Sequence, residues 1–88
     1  MARINKEDYY DKLHLLSPQK ALSISIHTIG NHVNSIGNAT ELLRMYLEDR
    51  DNLPPQEQID RILEILANNT QDLAEVLSAM GKYNETLK

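Results

Sequence analysis

Apolar residues along the first half of the chain fall at alternating steps of four and three: Leu22, Ile26, Ile29, Val33, Ile36, Thr40, Leu43 and Leu47. That alternation is the heptad seam of a helix packed against other helices, with one threonine in it. Ile24, Ala39, Leu42, Met45 and Tyr46 widen the stripe beyond what a two-stranded coil uses, so a bundle is the better fit. Ser17-Pro18 supplies a start: Ser caps free N–H groups, and Pro suits the first helical position, where no N–H is needed. The pattern predicts a first long helix from Pro18 to about Arg50, roughly 50 Å at 1.5 Å per residue.

The break comes at Asp49-Arg50-Asp51-Asn52-Leu53-Pro54-Pro55. Asn and Asp favour turns, and a residue before Pro is pushed out of the helical region. A second long helix is predicted from near Pro55, with Glu57 in its first turn. One seam repeats every seventh residue: Ile59, Leu66, Leu73, Met80 and Leu87. Ile62, Leu63, Val76, Leu77 and Tyr83 fill the other core position, with Asn69 and Thr70 in its middle layer. An antiparallel hairpin is expected to bring Thr40 level with Asn69 and Thr70, a polar layer of the kind that fixes register. The outer faces of this helix carry Gln58, Asp60, Arg61, Glu64, Gln71, Asp72 and Glu75, read as a solvated acidic face. Ahead of the hairpin, Asn5 before Lys6, Glu7 and Asp8 reads as a cap and an acidic first turn. A short helix is predicted from about Lys6 to Leu15, covering one end of the bundle.

Two helices joined by one tight turn cannot bury stripes this wide. Two hairpins packed together can. The expected fold is therefore all-α: a two-helix antiparallel hairpin forming a homodimeric four-helix bundle. Residues 1–17 form an N-terminal lead-in and residues 18–88 the helical-hairpin domain. Composition narrows the setting. The chain has 88 residues, room for one small domain with a modest core. It has no Cys, so disulfides, thiolate nucleophiles and zinc-thiolate sites are excluded. No apolar run spans a membrane and no secretory leader is visible, so the expected setting is cytoplasmic. The net charge of −4 argues against a nucleic-acid footprint.

The first long helix carries unusual residues on its outside. On a helical wheel, His27, Asn31, Asn34 and Asn38 form one solvent-facing stripe. His32 shares a boundary line with Ser25 and Ala39, and Gly30 and Gly37 lie one heptad apart on another. Asn is a poor helix former, and each Gly costs roughly 1 kcal/mol against Ala. Nothing in helix stability asks for these residues; a partner that comes close, or is held by amides, would.

The chemistry open to such a stripe is narrow. His27 and His32 are five apart and share no face, whereas helical metal pairs prefer the i, i+4 spacing, so no metal site is expected. A bundle exterior offers no pocket for a Ser-His-Asp arrangement. Attack on a phosphoryl group by a neutral imidazole needs only exposure and access. An amide one turn away could hold a water or a phosphoryl oxygen.

These residues resemble the dimerisation and histidine-phosphotransfer domain of two-component sensor histidine kinases. The usual motif runs His, an acidic residue, two variable residues, Asn or Thr, Pro, then an apolar residue. A polar residue and Ser-Ile follow, and the motif ends near Glu-Leu-Leu. In this chain His27 stands at the phospho-acceptor position and Asn31 at the Asn/Thr. Val33 stands at the apolar position, and Asn34-Ser35-Ile36 and Glu41-Leu42-Leu43 follow in register. The resemblance covers roughly Pro18 to Leu87. Two positions depart from it. Thr28 replaces the acidic residue and cannot take a proton. His32 replaces the Pro that bends the helix, so a straighter helix is expected.

The resemblance implies a histidine kinase or phosphotransferase component. His27 would accept a phosphoryl group and pass it to an Asp of a response-regulator receiver domain. Asn31 would place water or the phosphoryl group, with Thr28 and Asn34 as supporting polar groups. ATP and magnesium would reside on a separate ATP-binding kinase domain acting in cis or in trans, since no such domain lies within these residues. The Met1 start and ordered lead-in favour a deliberate domain, whether cut from a kinase or free-standing. The alternative, from another class, is a non-catalytic dimeric helical scaffold whose His-Asn stripe binds a protein partner. A purely structural bundle leaves the glycines and asparagines unexplained.

Overall fold

The computed structural model describes residues 3–87, and of Arg50 the backbone alone. Met1, Ala2 and Lys88, which belong to the two expected segments, lie outside the described residues. Three α-helices and one 3-10 turn account for the regular structure: α1 (Lys6–His14), α2 (Pro18–Glu48), the turn Arg50–Asn52, and α3 (Gln56–Thr86). Their starts follow the local chemistry. Asn5 accepts hydrogen bonds from the N–H groups of Glu7 and Asp8 at 2.9 and 3.2 Å, and Ser17 Oγ accepts from Lys20 N at 3.3 Å. At the other end of α2, Asn52 Nδ2 donates to Asp49, and Leu53 is extended ahead of Pro54-Pro55. No strand occurs among the described residues, and none of their helices is long and apolar enough to cross a membrane.

Helices α2 and α3 form an antiparallel hairpin in a molecule 56 Å long. Two cross-links set its register: His32 meets Asp72, and Tyr46 meets Gln58. Each helix spans fourteen residues between them, so they belong to one register. That register corrects the expected polar layer. Thr40 falls level with Glu64, and Asn69 and Thr70 fall level with Ser35 and Asn34, about 8 Å along the axis. The chain turns near Asn52, twelve residues after Thr40 but seventeen before Asn69. Each of the three groups bonds a carbonyl of its own helix instead: Thr40 to Ile36, Asn69 to Ile65 and Thr70 to Leu66, all at 2.8 Å.

The lead-in joins the main core. α1 runs parallel to α3, and Tyr9 and Leu13 pack with Ala21 of α2 and Val76, Ala79 and Tyr83 of α3. The two tyrosine hydroxyls are satisfied, Tyr9 with Ser25 Oγ at 3.1 Å and Tyr83 donating to the Leu16 carbonyl at 2.9 Å. Outside the core, Lys82 Nζ lies 4.4 Å over the Tyr10 ring, a cation–π contact between α1 and α3.

The helix–helix seam is offset from the predicted one. The α2 face against α3 is Ala21, Ser25, Ile29, His32, Ile36, Ala39, Leu43 and Tyr46, buried or half-buried. Small residues at 21, 25 and 39 sit where the helices close together. The larger residues of the predicted seam, Leu22, Ile26, Val33 and Leu47, are more than half exposed, and Thr40 is exposed. On α3, Ile62, Val76, Ala79 and Tyr83 are buried, while Leu63, Leu77 and Leu87 stand exposed. Exposed Leu22 of α2 and Leu87 of α3 line one groove of about 410 Å³ with half-buried Met80 and with Leu13 of α1. Lys6 and Glu7 of α1 adjoin Ser78, Ala79 and Lys82 of α3. α1 therefore covers part of the hairpin, while Leu22, Ile26 and Val33 of α2 and Leu63 and Leu77 of α3 stay exposed.

Candidate functional site

The packing of α2 on α3 turns His27, Asn31, Asn34 and Asn38 outward, and all four are exposed. Tertiary contact on the opposite face holds α2 helical despite its asparagines and glycines, because packing outweighs propensity. His27 and Asn31, one turn apart, share a face at a Cβ separation of about 5–6 Å. Among the described residues, no hydrogen bond engages the His27 ring or the side-chain amides of Asn31, Asn34 and Asn38. Thr28 is half-buried, and its carbonyl accepts from His32 Nδ1 at 2.8 Å. The first carboxylate along α2 is Glu41, so no acid of this helix lies near His27. Gly30 and Gly37 have open space where a Cβ would project. Among the described residues, nothing requires glycine at either position.

His32 occupies a different environment. It faces α3, and its Nε2 lies 3.3 Å from Asp72 Oδ2. Asp72 Oδ1 accepts from Arg3 Nε at 3.1 Å and from the Ile4 N–H at 3.2 Å, and Arg3 Nη1 donates to Asn68 Oδ1 at 2.8 Å. Burial alone would push the Asp72 carboxyl up. The bonds from Arg3, Ile4 N–H and His32 outweigh it and hold the group below its ordinary value. Asp72 therefore departs from the solvated acidic face assigned to it: it is 7 % exposed, while Asp60, Glu64, Gln58, Arg61 and Gln71 remain on the surface and Glu75 is half-buried. Its spacing was the missed signal. Asp72 stands one heptad from Ala79, which lies against Lys6 and Glu7 of α1.

The two histidines thus have separate surroundings. A groove of roughly 500 Å³ lined by Arg3, Asn31, His32, Ser35, Asn68 and Asp72, among others, adjoins the stripe through Asn31. Ser35 Oγ donates to the backbone carbonyl of Asn31 at 3.1 Å, and among the described residues no hydrogen bond engages the Asn31 carboxamide. No group of three His, Asp or Glu side chains converges on a metal position among the described residues. The arrangement offers an accessible imidazole, an amide one turn away, and no carboxylate near the ring on its own helix. Comparisons with protein-family models, with curated proteins and with solved structures found no match to the chain.

Proposed function

We propose that this chain is a phosphotransfer module of a two-component signalling system, with His27 as its phosphoryl carrier. The observation that carries the reading is the His27 ring itself: exposed, unbonded within the described chain, and one turn from a free Asn31 carboxamide. ATP, held with magnesium on a separate kinase domain, supplies the phosphoryl group. A ring nitrogen of neutral His27 attacks phosphorus as the P–O bond to the leaving diphosphate breaks, and the other ring nitrogen releases its proton to water. In the onward step the ring regains a proton from water, a receiver Asp carboxylate attacks phosphorus, the P–N bond breaks to release neutral imidazole, and an acyl phosphate forms. The Asn31 carboxamide donates to a phosphoryl oxygen or orients a water, and Thr28 and Asn34 flank the site. Attack by a neutral nitrogen lone pair has no proton to remove beforehand, so transfer is compatible with Thr28 in the acidic position.

The same reading makes the chain a homodimer. A second hairpin laid on the uncovered columns of Leu22, Ile26, Val33, Leu63 and Leu77 buries them in a four-helix bundle and leaves His27 outside. Incubation with a cognate kinase domain, ATP and magnesium tests the carrier role. Acid-labile phosphate is expected on the wild type and absent from His27→Gln. Label persisting in His27→Gln sinks the assignment, and label lost only in His32→Gln moves it.

Thr28 beside His27, with no carboxylate nearer on α2 than Glu41, favours a second reading, a non-catalytic dimeric scaffold whose His-Asn stripe binds a protein partner. Under it, His27→Gln leaves partner binding and function intact.

A further inference from the structure

Both ring nitrogens of His32 face acceptors: Nδ1 the Thr28 carbonyl oxygen at 2.8 Å, Nε2 the Asp72 carboxylate at 3.3 Å. A carbonyl and a carboxylate only accept, and only the imidazolium, with two N–H groups, satisfies both at once. The other oxygen of Asp72 holds the segment that leads into α1, through Arg3 Nε and the Ile4 N–H. One carboxylate is therefore shared between α2 and the leader of α1. We propose that His32, Asp72 and Arg3 form a proton-dependent clasp that fastens the leader and α1 to the hairpin.

Loss of the ring proton to water leaves one N–H for two acceptors. If Nδ1 keeps it, the Nε2 lone pair faces the Asp72 carboxylate. If Nε2 keeps it, the Nδ1 lone pair faces the Thr28 carbonyl. Each neutral form sets two acceptors against each other and loosens the carboxylate on which the leader hangs. The charged groups lining the groove around His32 are Arg3 from the leader and Asp72 from α3; α1 and the rest of α2 supply none. The His32 side chain is 17 % exposed, so water reaches it. Tyr9 and Leu13 hold α1 by apolar burial, which does not depend on the proton. The clasp is closed where Asp72 is ionised and His32 carries its proton. It opens where the ring gives that proton up, so the clasp loosens as pH rises and never as it falls through the histidine step.

Amide hydrogen exchange on the full chain, corrected for intrinsic rates and followed from about pH 5.5 to about pH 8, reads the clasp. Protection across Tyr9–Leu13 is expected to fall about tenfold, the effect of one charge-assisted hydrogen bond. His32→Gln should flatten that profile, while His14→Gln and His27→Gln keep it. A flat wild-type profile, or a fall retained in His32→Gln, overturns the proposal. Arg3→Gln provides an arm that leaves the hairpin core untouched. It should lower α1 protection at the acid end with the amides of α3 unchanged, and unaltered α1 protection there also overturns the clasp. None of these readouts depends on phosphotransfer at His27.

Discussion

Tyr9 and Ser25 hold each other's hydroxyl at 3.1 Å across the α1–α2 contact, and Ser25 is 1 % exposed. Removing either partner strands a buried hydroxyl, whereas removing both strands none. Tyr9→Phe and Ser25→Ala should each cost about 1 kcal/mol in urea unfolding, and the double variant no more than either alone. Strictly additive losses would mean that the two hydroxyls do not depend on each other.

Asp72 should make the fold sensitive to acid. Its carboxyl is held below the ordinary value in the folded chain by bonds that exist only there. The unfolded chain thus binds the proton more readily, and stability rises with pH through the carboxylate range. The contribution of Asp72 is present above its unfolded value, near 4, and is lost as pH falls through the folded one. Urea midpoints for the wild type and Asp72→Asn should differ at neutral pH and converge toward about pH 2. A difference that persists in acid would show that Asp72 acts through shape rather than charge.

The boundaries of the helices were legible because their causes are local. Asn5, Ser17-Pro18 and Pro54-Pro55 fix the starts within a residue or so, whatever else the chain does. The outward stripe from His27 to Asn38 was legible for a related reason: a wheel needs only the helical period. Register was not, because it depends on where the chain turns back, and the short turn at Arg50–Asn52 moved Thr40 away from Asn69. Hydropathy also placed the α2 seam on Leu22, Ile26 and Val33. The neighbour α3 instead chose the line of Ala21, Ser25 and Ala39, where small side chains let the helices approach. The spacing of Asp72 marks it as turned inward, but its partners, Arg3 and His32, are remote in sequence and so not legible there.

The glycines separate a lone hairpin from an assembled one. Gly30 and Gly37 have open space for a Cβ, so in an isolated hairpin each change to Ala should stabilise by about 1 kcal/mol. Where a second chain lies close to α2, the added methyl costs association instead. Sedimentation of Gly30→Ala, Gly37→Ala and Val33→Lys at matched concentration reads this directly. The homodimer predicts that Val33→Lys sediments as a monomer, since burying its charge without a partner is prohibitive. A wild type already at 10.1 kDa would remove the dimer, and the gain from both alanines would then follow.

Thr28 offers the sharpest test of His27. An acid at this position, reaching the ring, would take the N–H proton of His27 onto its carboxylate as the imidazole attacks phosphorus, a general-base contribution of roughly a hundredfold. Thr28→Glu should therefore raise the initial rate of labelling by a cognate kinase domain by about that factor. The Thr28 carbonyl that meets His32 belongs to the backbone, so the substitution leaves that bond available. Thr28→Gln has nearly the same shape and no base, and should label at the wild-type rate. In the double variant His27→Gln/Thr28→Glu no label is expected. A rate that rises equally in Thr28→Gln would assign the gain to packing, and one that survives loss of His27 would place the carrier elsewhere.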